Sequence, residues 1–257
     1  MSRKVYLYDG SLEGLLHSVA AAVKQGTAVQ GIYSQRTYMP TLFDTVVNVI
    51  TDADQADRLL KYLYKLHFTA AQFAINGFFS EHREIGLHLY NFVLLCLRVG
   101  PDAIQLHSDD SVRQLHALNR KVSFEAHRLA GLIRFRILAD ELQYAPFESD
   151  HNVLGYCAKH FRKRLATRKW IIHDVGRDIA LYWDKEDLHP VNIDREFTSQ
   201  VGIHGEIAGM ELTEQERYYQ TLWRNFHDSI SNPDRQNKQL QRSLMPKRYW
   251  KYLPEMK

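Results

Sequence analysis

The sequence predicts an α+β protein in which an antiparallel sheet carries a basic helix and is flanked by several helices. Two patterns predict this fold. In the centre of the chain, Ile133, Phe135 and Ile137 alternate with polar residues, as in a half-buried strand. The polar positions between them, Arg134 and Arg136, would share the opposite face. On both sides of this region, apolar residues recur with the spacing of a helix, between residues that begin or end helices.

The N-terminal part begins with a strand and continues with helices. "KVYLYDGS" alternates and then breaks, and Ser11 would cap a helix over "LEGLLHSVAAAVKQG" that Gly26 ends. "TLFDTVVNVIT" predicts a second strand, followed by a helix that Asp52 would cap. Further helices are predicted over residues 69–78, 81–99 and 112–129.

The predicted antiparallel sheet lies in the centre of the chain. Its strands are residues 132–138, 142–147, 169–174 and 179–183. The last two would form a hairpin that turns at Val175. A helix from about Val153 to Arg164 would bury its apolar side against this sheet, and Asp150 or Asn152 would cap it.

The C-terminal part carries weaker signals. Residues 185–211 are interpreted as a connector. "LTEQERYYQTLWRNFHDSI" then predicts a helix that Thr213 caps, with Glu216 completing a capping box. We find no internal repeat, so residues 1–257 are predicted to form a single compact domain, with a subdivision allowed near residues 100–130.

Composition limits the function classes. Hydrophobic residues at 45% and charged residues at 25% are ordinary for a soluble globular protein, and a net charge of +3 permits nucleic-acid binding without indicating it. With Cys96 and Cys157 as its two cysteines, the chain cannot ligate an iron–sulfur cluster alone, and we predict no cofactor. The start lacks a secretion signal, and "LHLYNFVLLCLRVG" is too short to cross a membrane, so a cytoplasmic location without membrane contact is expected.

The strongest local signal is a basic stretch without acidic residues, from Gly155 to Ile172. The guanidinium group of an arginine can donate two parallel hydrogen bonds to phosphate oxygens, and several such contacts give affinity for nucleic acid of any sequence. A solvated cationic face of a helix is the alternative interpretation. The predicted phosphate-binding residues are Lys159, Arg162, Lys163 and Arg164 on the helix, with Arg134 and Arg136 on the adjoining strand.

The C-terminal stretch "LMPKRYWKYL" is a second basic and aromatic element. Lys247 and Arg248 are predicted to extend the nucleic-acid-binding surface, since cations hold phosphate while aromatic rings stack on unpaired bases. The alternative is that Trp250, Tyr252 and Leu253 dock the C-terminus onto the core.

Four titratable residues are the candidate acid–base groups of an enzyme: Asp150, His151, His173 and Asp174. A histidine can move a proton near neutral pH, and a carboxylate can act with it. The alternatives are structural: Asp150 would cap a helix, and His173 with Asp174 would fix a turn beside Arg177. The histidines near Cys157 match no known ligand spacing, so no metal site is predicted.

Five segments in this order resemble one bacterial family: "YLYDGSLEGLLHSV", "EAHRLAGLIRFRILAD", "SDHNVLGYCAKHFRKRL", "WIIHD" and "LQRSLMPKRYWKYL". The family has no known function and is labelled "probable DNA metabolism protein". Its members are encoded beside a radical-SAM protein assigned to DNA repair, and the same domain is found fused to a uracil-DNA glycosylase domain. The resemblance runs nearly end to end, although Ser149 stands where a proline is expected. It implies a DNA context and supplies no catalytic residue.

Two functions are therefore predicted. In the first, the protein is a nucleic-acid-binding accessory that presents DNA, damaged or single-stranded, to a radical-SAM partner. This chain has no CxxxCxxC arrangement and would not itself be that catalyst. In the second, it is an enzyme acting on damaged or modified nucleic acid, hydrolase- or glycosylase-like, through the His and Asp groups.

Overall fold

The chain divides into two compact units, Met1–Ser123 and Phe124–Lys257, in a computed structural model that describes residues 4–26, 28–138, 140–205, 212–232 and 236–256. Each unit combines helices with a sheet, so the α+β class is confirmed. The boundary between the two units falls within residues 100–130, where the sequence allowed a subdivision. That residues 1–257 form a single domain stays a prediction.

The first unit is built on a three-stranded parallel sheet. Its strands are β1 (Lys4–Tyr8), β2 (Val29–Ser34) and β3 (Thr45–Asn48), in the order β2-β1-β3. Its helices are α1 (Leu12–Gln25), α2 (Ala53–Leu66), α3 (Phe68–Phe79), α4 (Ile85–Val99), a 3-10 helix (Gly100–Gln105) and the start of α5 (Asp110–Leu132). The predicted helices are confirmed to within a few residues, whereas β2 was not predicted.

Local capping determines where these helices begin and end. The Ser11 hydroxyl accepts a hydrogen bond from the Gly14 N–H at 2.9 Å, and Asp52 accepts from the first N–H groups of α2. Gly26 ends α1 with a φ of 60°, a left-handed conformation that glycine adopts without steric cost. All three caps were predicted from the sequence, because a cap depends only on residues within one turn.

The second unit is built on a five-stranded sheet in the order β4-β5-β6-β7-β8. Its strands are β4 (Arg136–Ile137), β5 (Gln143–Phe147), β6 (Trp170–Asp174), β7 (Ile179–Trp183) and β8 (Leu188–Val191). Its helices are the end of α5, α6 (Leu154–Arg164), α7 (Arg195–His204), α8 (Glu214–Ile230), α9 (Lys238–Leu244), α10 (Lys247–Trp250) and a 3-10 helix (Pro254–Met256).

The prediction of a purely antiparallel sheet is wrong, because β5 and β6 run parallel. The basic helix α6 connects these two strands, and a helical crossover returns the chain to the same end of the sheet, which makes the second strand parallel to the first. The pairings of β4 with β5 and of β6 with β7 are antiparallel, as predicted, and β8, which was not predicted, pairs antiparallel with β7.

Two other predicted segments differ in the structure. The strand predicted over residues 132–138 is reduced to β4, and α5 continues to Leu132, where that strand was expected to begin. The range 185–211, expected to be a connector, contains β8 and the whole of α7, and its residues 206–211 lie outside the described part of the chain.

Helix α6 packs on the sheet, as the sequence predicted. Its buried side consists of Leu154, Cys157, Ala158 and Phe161, and the helix lies against β6 and β7. Phe161 contacts the ring of Phe135 edge-on, with 4.8 Å between centroids, and Phe135 in turn contacts Trp170. The opposite side of α6 is therefore left to solvent.

The C-terminal segment docks into the second unit. Tyr249, Tyr252 and Leu253 are 2%, 4% and 1% exposed. The carboxylate of Glu148 accepts hydrogen bonds from Lys251 Nζ and the Tyr252 hydroxyl, both at 2.7 Å. For Tyr252 and Leu253, two of the three residues expected to dock, the docking interpretation agrees with the structure.

Glu125 on α5 connects this C-terminal segment to the residues that precede α6. Its carboxylate accepts hydrogen bonds from the Asp150 and His151 N–H groups (both 2.9 Å), from Arg248 Nη2 (3.0 Å) and from the Tyr249 hydroxyl (2.7 Å). Burial acts to raise the pKa of Glu125, but these hydrogen bonds outweigh it and hold the pKa below its usual range. A buried carboxylate with four donors stays ionised and fixes three segments together.

Among the described helices, none is both long enough and apolar enough to span a membrane.

Replacing Glu125 with glutamine (Glu125→Gln) should lower the free energy of unfolding of the second unit by about 2 to 4 kcal/mol, because an amide cannot accept four hydrogen bonds and leaves Arg248 short of a buried partner. All four tryptophans lie in the second unit, at 170, 183, 223 and 250, so tryptophan fluorescence during urea unfolding reports this unit. The exposed Glu186→Gln is the control and should change stability by less than about 0.5 kcal/mol. Equal effects of the two changes would contradict the role given to Glu125.

Candidate nucleic-acid interface

The four predicted cations of α6 all face solvent. Lys159, Arg162, Lys163 and Arg164 are exposed, and none of them forms an ion pair with a described residue. The Arg162 guanidinium lies 5.4 Å from the ring centre of Trp183, which orients it without neutralising it. The three cations of the last turn also favour the negative end of the helix dipole. This structural role does not account for Lys159, which lies a turn earlier.

Arg134 is partly available at the surface. Its Nη2 pairs with Glu255 Oε1 at 2.7 Å, its Nη1 donates to the Gly131 carbonyl at 2.9 Å, and its guanidinium lies 5.7 Å from the ring centre of Trp223. The side chain is 27% exposed, so a ligand can still reach its edge.

Arg136 is not on the exposed face that the sequence predicted for it. The residue is 4% exposed, and its Nη2 donates to the carbonyls of Gly205 (2.8 Å) and Tyr252 (3.3 Å). The alternation pattern misplaced it because its face of the sheet is covered by the C-terminal segment. In this structure Arg136 stabilises the fold, and its buried guanidinium is not accessible to a phosphate.

The two cations of the C-terminal stretch differ from each other. Lys247 is exposed. Arg248 is half-buried, pairs with Glu125 at 3.0 Å and Asp150 at 2.6 Å, and lies over the Tyr249 ring. Lys247 therefore remains a candidate for binding an anion, whereas the guanidinium of Arg248 is already occupied by two carboxylates.

A groove of about 790 Å³ lies beside the α6 cations. Arg134 and Arg164, two of the predicted binding residues, both line it. Its other lining includes five aromatic residues and three polar ones: Phe135, Phe161, Tyr219, Trp223, Phe226, Gln143, Glu216 and Gln220. The groove combines cations with exposed aromatic rings, the combination that binds single-stranded nucleic acid in other proteins.

Arg168 and Lys169 continue the basic stretch but lie in a different environment. They line another cavity of about 750 Å³ together with Asp140 and Glu141, whose carboxylates offset their charge. We therefore do not include them in the interface.

Asp150 and His151 act through their backbone at the start of α6. The structure corrects the predicted cap by Asp150 or Asn152: α6 begins after Val153, and its first turn has no side-chain cap. Instead, the N–H groups of Asp150 and His151 point to Glu125, and the Asp150 carboxylate pairs with Arg248. A carboxylate from another helix thus takes the place of a local cap.

His173 is fully buried, at 0% exposure. Its Nδ1 is 2.7 Å from the Tyr144 hydroxyl, and its Nε2 has no hydrogen-bond partner within the described part of the chain. Burial lowers the pKa of His173 to about 4, because the charged imidazolium would lose its hydration. The ring is neutral at physiological pH and is inaccessible to a substrate.

Asp174 is equally buried and is held by Arg177 and Ser149. Arg177 Nη1 lies 3.0 Å from Asp174 Oδ2, and the Ser149 hydroxyl donates to the same oxygen at 3.1 Å. Burial raises the pKa of Asp174, although Arg177 and Ser149 oppose the shift. Arg177 also donates to the Asp150 carbonyl at 3.0 Å, so it joins the end of β6 to the loop before α6. This agrees with the interpretation that Asp174 fixes the turn, whereas His173 bonds to Tyr144 and takes no part in it.

The four acid–base candidates lie outside the lining of the groove beside α6. His173 and Asp174 are buried, the backbone N–H groups of Asp150 and His151 bind Glu125, and none of the four lines the groove. Within the described ranges, no three His, Cys, Asp or Glu side chains are placed to hold a metal ion.

Sequence reasoning missed the aromatic side of the groove. Tyr219, Trp223 and Phe226 on α8 follow the i, i+4, i+7 spacing of a helical stripe, which was read only as evidence for a helix. The same spacing indicated the wall of the groove, but its exposure is visible only in the structure. Glu125 was also missed, because its four partners are distant or lie on the backbone.

A protein-family model covers more than half of the chain. The model of a family described as "Domain of unknown function (DUF4130)" matches residues 83–255. Among curated proteins, none matches the chain significantly.

The buried neutral His173 predicts a pH-dependent stability. Its pKa is lower in the folded protein, about 4, than in the unfolded chain, about 6.5, so the unfolded state binds a proton first as the pH falls. His173 should therefore remove about 2 kcal/mol from the free energy of unfolding between pH 7 and pH 5. In His173→Asn, which keeps a polar atom near the Tyr144 hydroxyl, this loss should be absent. The difference in free energy of unfolding between wild type and variant should therefore be about 2 kcal/mol smaller at pH 5 than at pH 7.

The measurement is urea unfolding at pH 7 and pH 5, followed by tryptophan fluorescence. Asp174 titrates in both proteins, so its opposite contribution cancels in the difference. A gap that does not change with pH would contradict the neutral, buried state of His173.

Proposed function

The chain belongs to the family described as a domain of unknown function, DUF4130, and on this premise we propose that it is a nucleic-acid-binding accessory protein of DNA repair or modification, which acts with a radical-SAM partner enzyme. We assign the binding of DNA to the second unit, through the exposed cations of α6 and the groove beside them.

One observation carries this proposal: the exposed cations of α6 lie beside an aromatic groove and have no ion pair with any described residue. Elsewhere in the same unit, arginines such as Arg136, Arg177 and Arg248 are engaged by carbonyls or carboxylates. Four exposed cations on one short helix, in a stretch of sequence without acidic residues, give a local positive field that attracts a polyanion.

The DNA context rests on the resemblance of five ordered segments to proteins encoded beside a radical-SAM protein assigned to DNA repair. With two cysteines, the chain cannot supply the three-cysteine motif of a radical-SAM catalyst, so that chemistry belongs to the partner. The role left for this chain is to bind and present DNA, damaged or single-stranded.

The alternative function, an enzyme that uses Asp150, His151, His173 and Asp174 on nucleic acid, has no observation in its favour. A general acid or base must come within hydrogen-bond distance of the reacting atom. His173 and Asp174 are buried and cannot approach a substrate in this structure, and neither Asp150 nor His151 lines the groove.

Replacing two exposed α6 cations (Lys163→Ala with Arg164→Ala) should weaken binding to DNA of any sequence roughly tenfold near 0.1 M salt. The salt dependence of the affinity should also decrease, because fewer phosphate contacts form and fewer counterions are released on binding. Fluorescence anisotropy of a labelled oligonucleotide, titrated at several salt concentrations, measures both quantities. The control removes two exposed cations from α2 in the first unit, Arg58→Ala with Lys65→Ala, and should leave affinity and salt slope nearly unchanged.

Absence of DNA binding by the intact protein at low salt, alone and with its radical-SAM partner, would refute the proposed function. Equal losses in the two double variants would show that binding reflects net charge and does not depend on α6.

A further inference from the structure

The aromatic wall of the groove is unusually open. Tyr219, Trp223 and Phe226 on α8 are 50%, 41% and 53% exposed. An apolar stripe on a helix normally packs against the core, and large exposed apolar patches mark binding sites. The volume of the groove, about 790 Å³, falls in the range of sites that hold small organic ligands.

The charges of the groove are arranged unequally. Arg164 lines it, and the exposed Lys163 lies next to Arg164 on α6, whereas Arg134, the other cation of the lining, is paired with Glu255. The cations without an ion pair to a described residue therefore lie at the α6 side. Glu216, which also lines the groove, is 7% exposed, and its Oε1 accepts a hydrogen bond from Gln220 at 2.7 Å. A buried carboxylate repels a phosphate. The groove therefore favours a neutral, flat, aromatic group inside and an anionic group at the α6 side.

From this arrangement we propose that the groove binds one unpaired nucleobase of single-stranded DNA, stacked against the Trp223 ring, while its phosphate lies on Arg164 and Lys163. This inference rests on the proposed function and specifies its substrate class, a single strand and not an intact duplex. A base in a duplex is already stacked and paired, so it cannot enter a groove of this kind without leaving the helix.

Polar side chains at the groove suit the edge of a base. Gln143 and Gln220 both line it and carry amide groups that can donate and accept hydrogen bonds. An amphipathic helix of a protein partner would also cover the aromatic stripe, and its carboxylates could pair with the cations. A nucleotide matches three features of the groove at once, because its phosphate suits the cations, its base suits the aromatic wall and the edge of that base suits the two amide groups.

The first test uses the wild-type protein and two single strands of roughly 12 nucleotides, one with bases and one that is abasic at every position. The abasic strand should bind roughly tenfold more weakly with the same salt slope, since it keeps its phosphates and loses the stacked base. Only the strand with bases should quench tryptophan fluorescence. Trp170 and Trp183 are 0% and 4% exposed, whereas Trp223 is 41% exposed and open to stacking.

The second test compares Trp223→Leu with Tyr218→Leu. Tyr218 lies on the same helix and is 62% exposed, but it does not line the groove. Trp223→Leu should reduce the affinity for the single strand roughly five- to a hundredfold, abolish the quenching and leave the salt slope unchanged. Tyr218→Leu should behave like wild type, and duplex affinity should be the same in all three proteins.

The outcomes separate this inference from the proposed function. If DNA binds with the α6-dependent salt slope, but strands with and without bases bind equally and Trp223→Leu matches Tyr218→Leu, the base site is refuted and the nucleic-acid-binding function stands. If single strand and duplex compete equally, the base site is likewise refuted. If no DNA binds at all, the proposed function itself fails.

Discussion

The carboxylate of Glu125 is the interaction on which the second unit depends. It accepts two backbone N–H groups from the loop before α6 and two side-chain donors, Arg248 and Tyr249, from the C-terminal segment. Burying a carboxylate is costly unless hydrogen bonds compensate it, and here they hold the pKa of Glu125 low enough to keep it charged. Because Glu125 fixes the chain just before α6, it also determines where the cations of that helix stand.

The arginines of this unit fall into two groups with different physical roles. Arg136 is buried and donates hydrogen bonds to the carbonyls of Gly205 and Tyr252. Gly205 is restricted in turn, since its φ is 63° and a side chain there would meet the Lys251 carbonyl oxygen at 2.0 Å. Arg164 is exposed and has no ion pair with a described residue. A cation held by the fold stabilises it, whereas an exposed cation is available to bind a ligand.

The topology of the sheet explains how the exposed cations come to stand beside aromatic residues. Helix α6 is the crossover between the parallel strands β5 and β6, so it must lie flat on one face of the sheet with a single side buried. Its last turn ends at the groove, where Phe161 forms part of the lining and Arg164 lies close by. Helix α8 supplies the opposite wall with Trp223. The groove therefore has the cation Arg164 on its α6 side and the buried carboxylate of Glu216 on its α8 side.

The sequence by itself determined the α+β class, most helices, the caps at Ser11, Asp52 and Thr213, and the exposed basic side of α6. Periodicity and capping act within a few residues, so a linear pattern contains them. Only the tertiary structure decided the parallel pairing of β5 with β6, the burial of Arg136 and the place of Glu125, whose Tyr249 partner is 124 residues away. Each of these depends on contacts between segments that folding brings together, and side-chain alternation along one strand carries no information about which face another segment will cover.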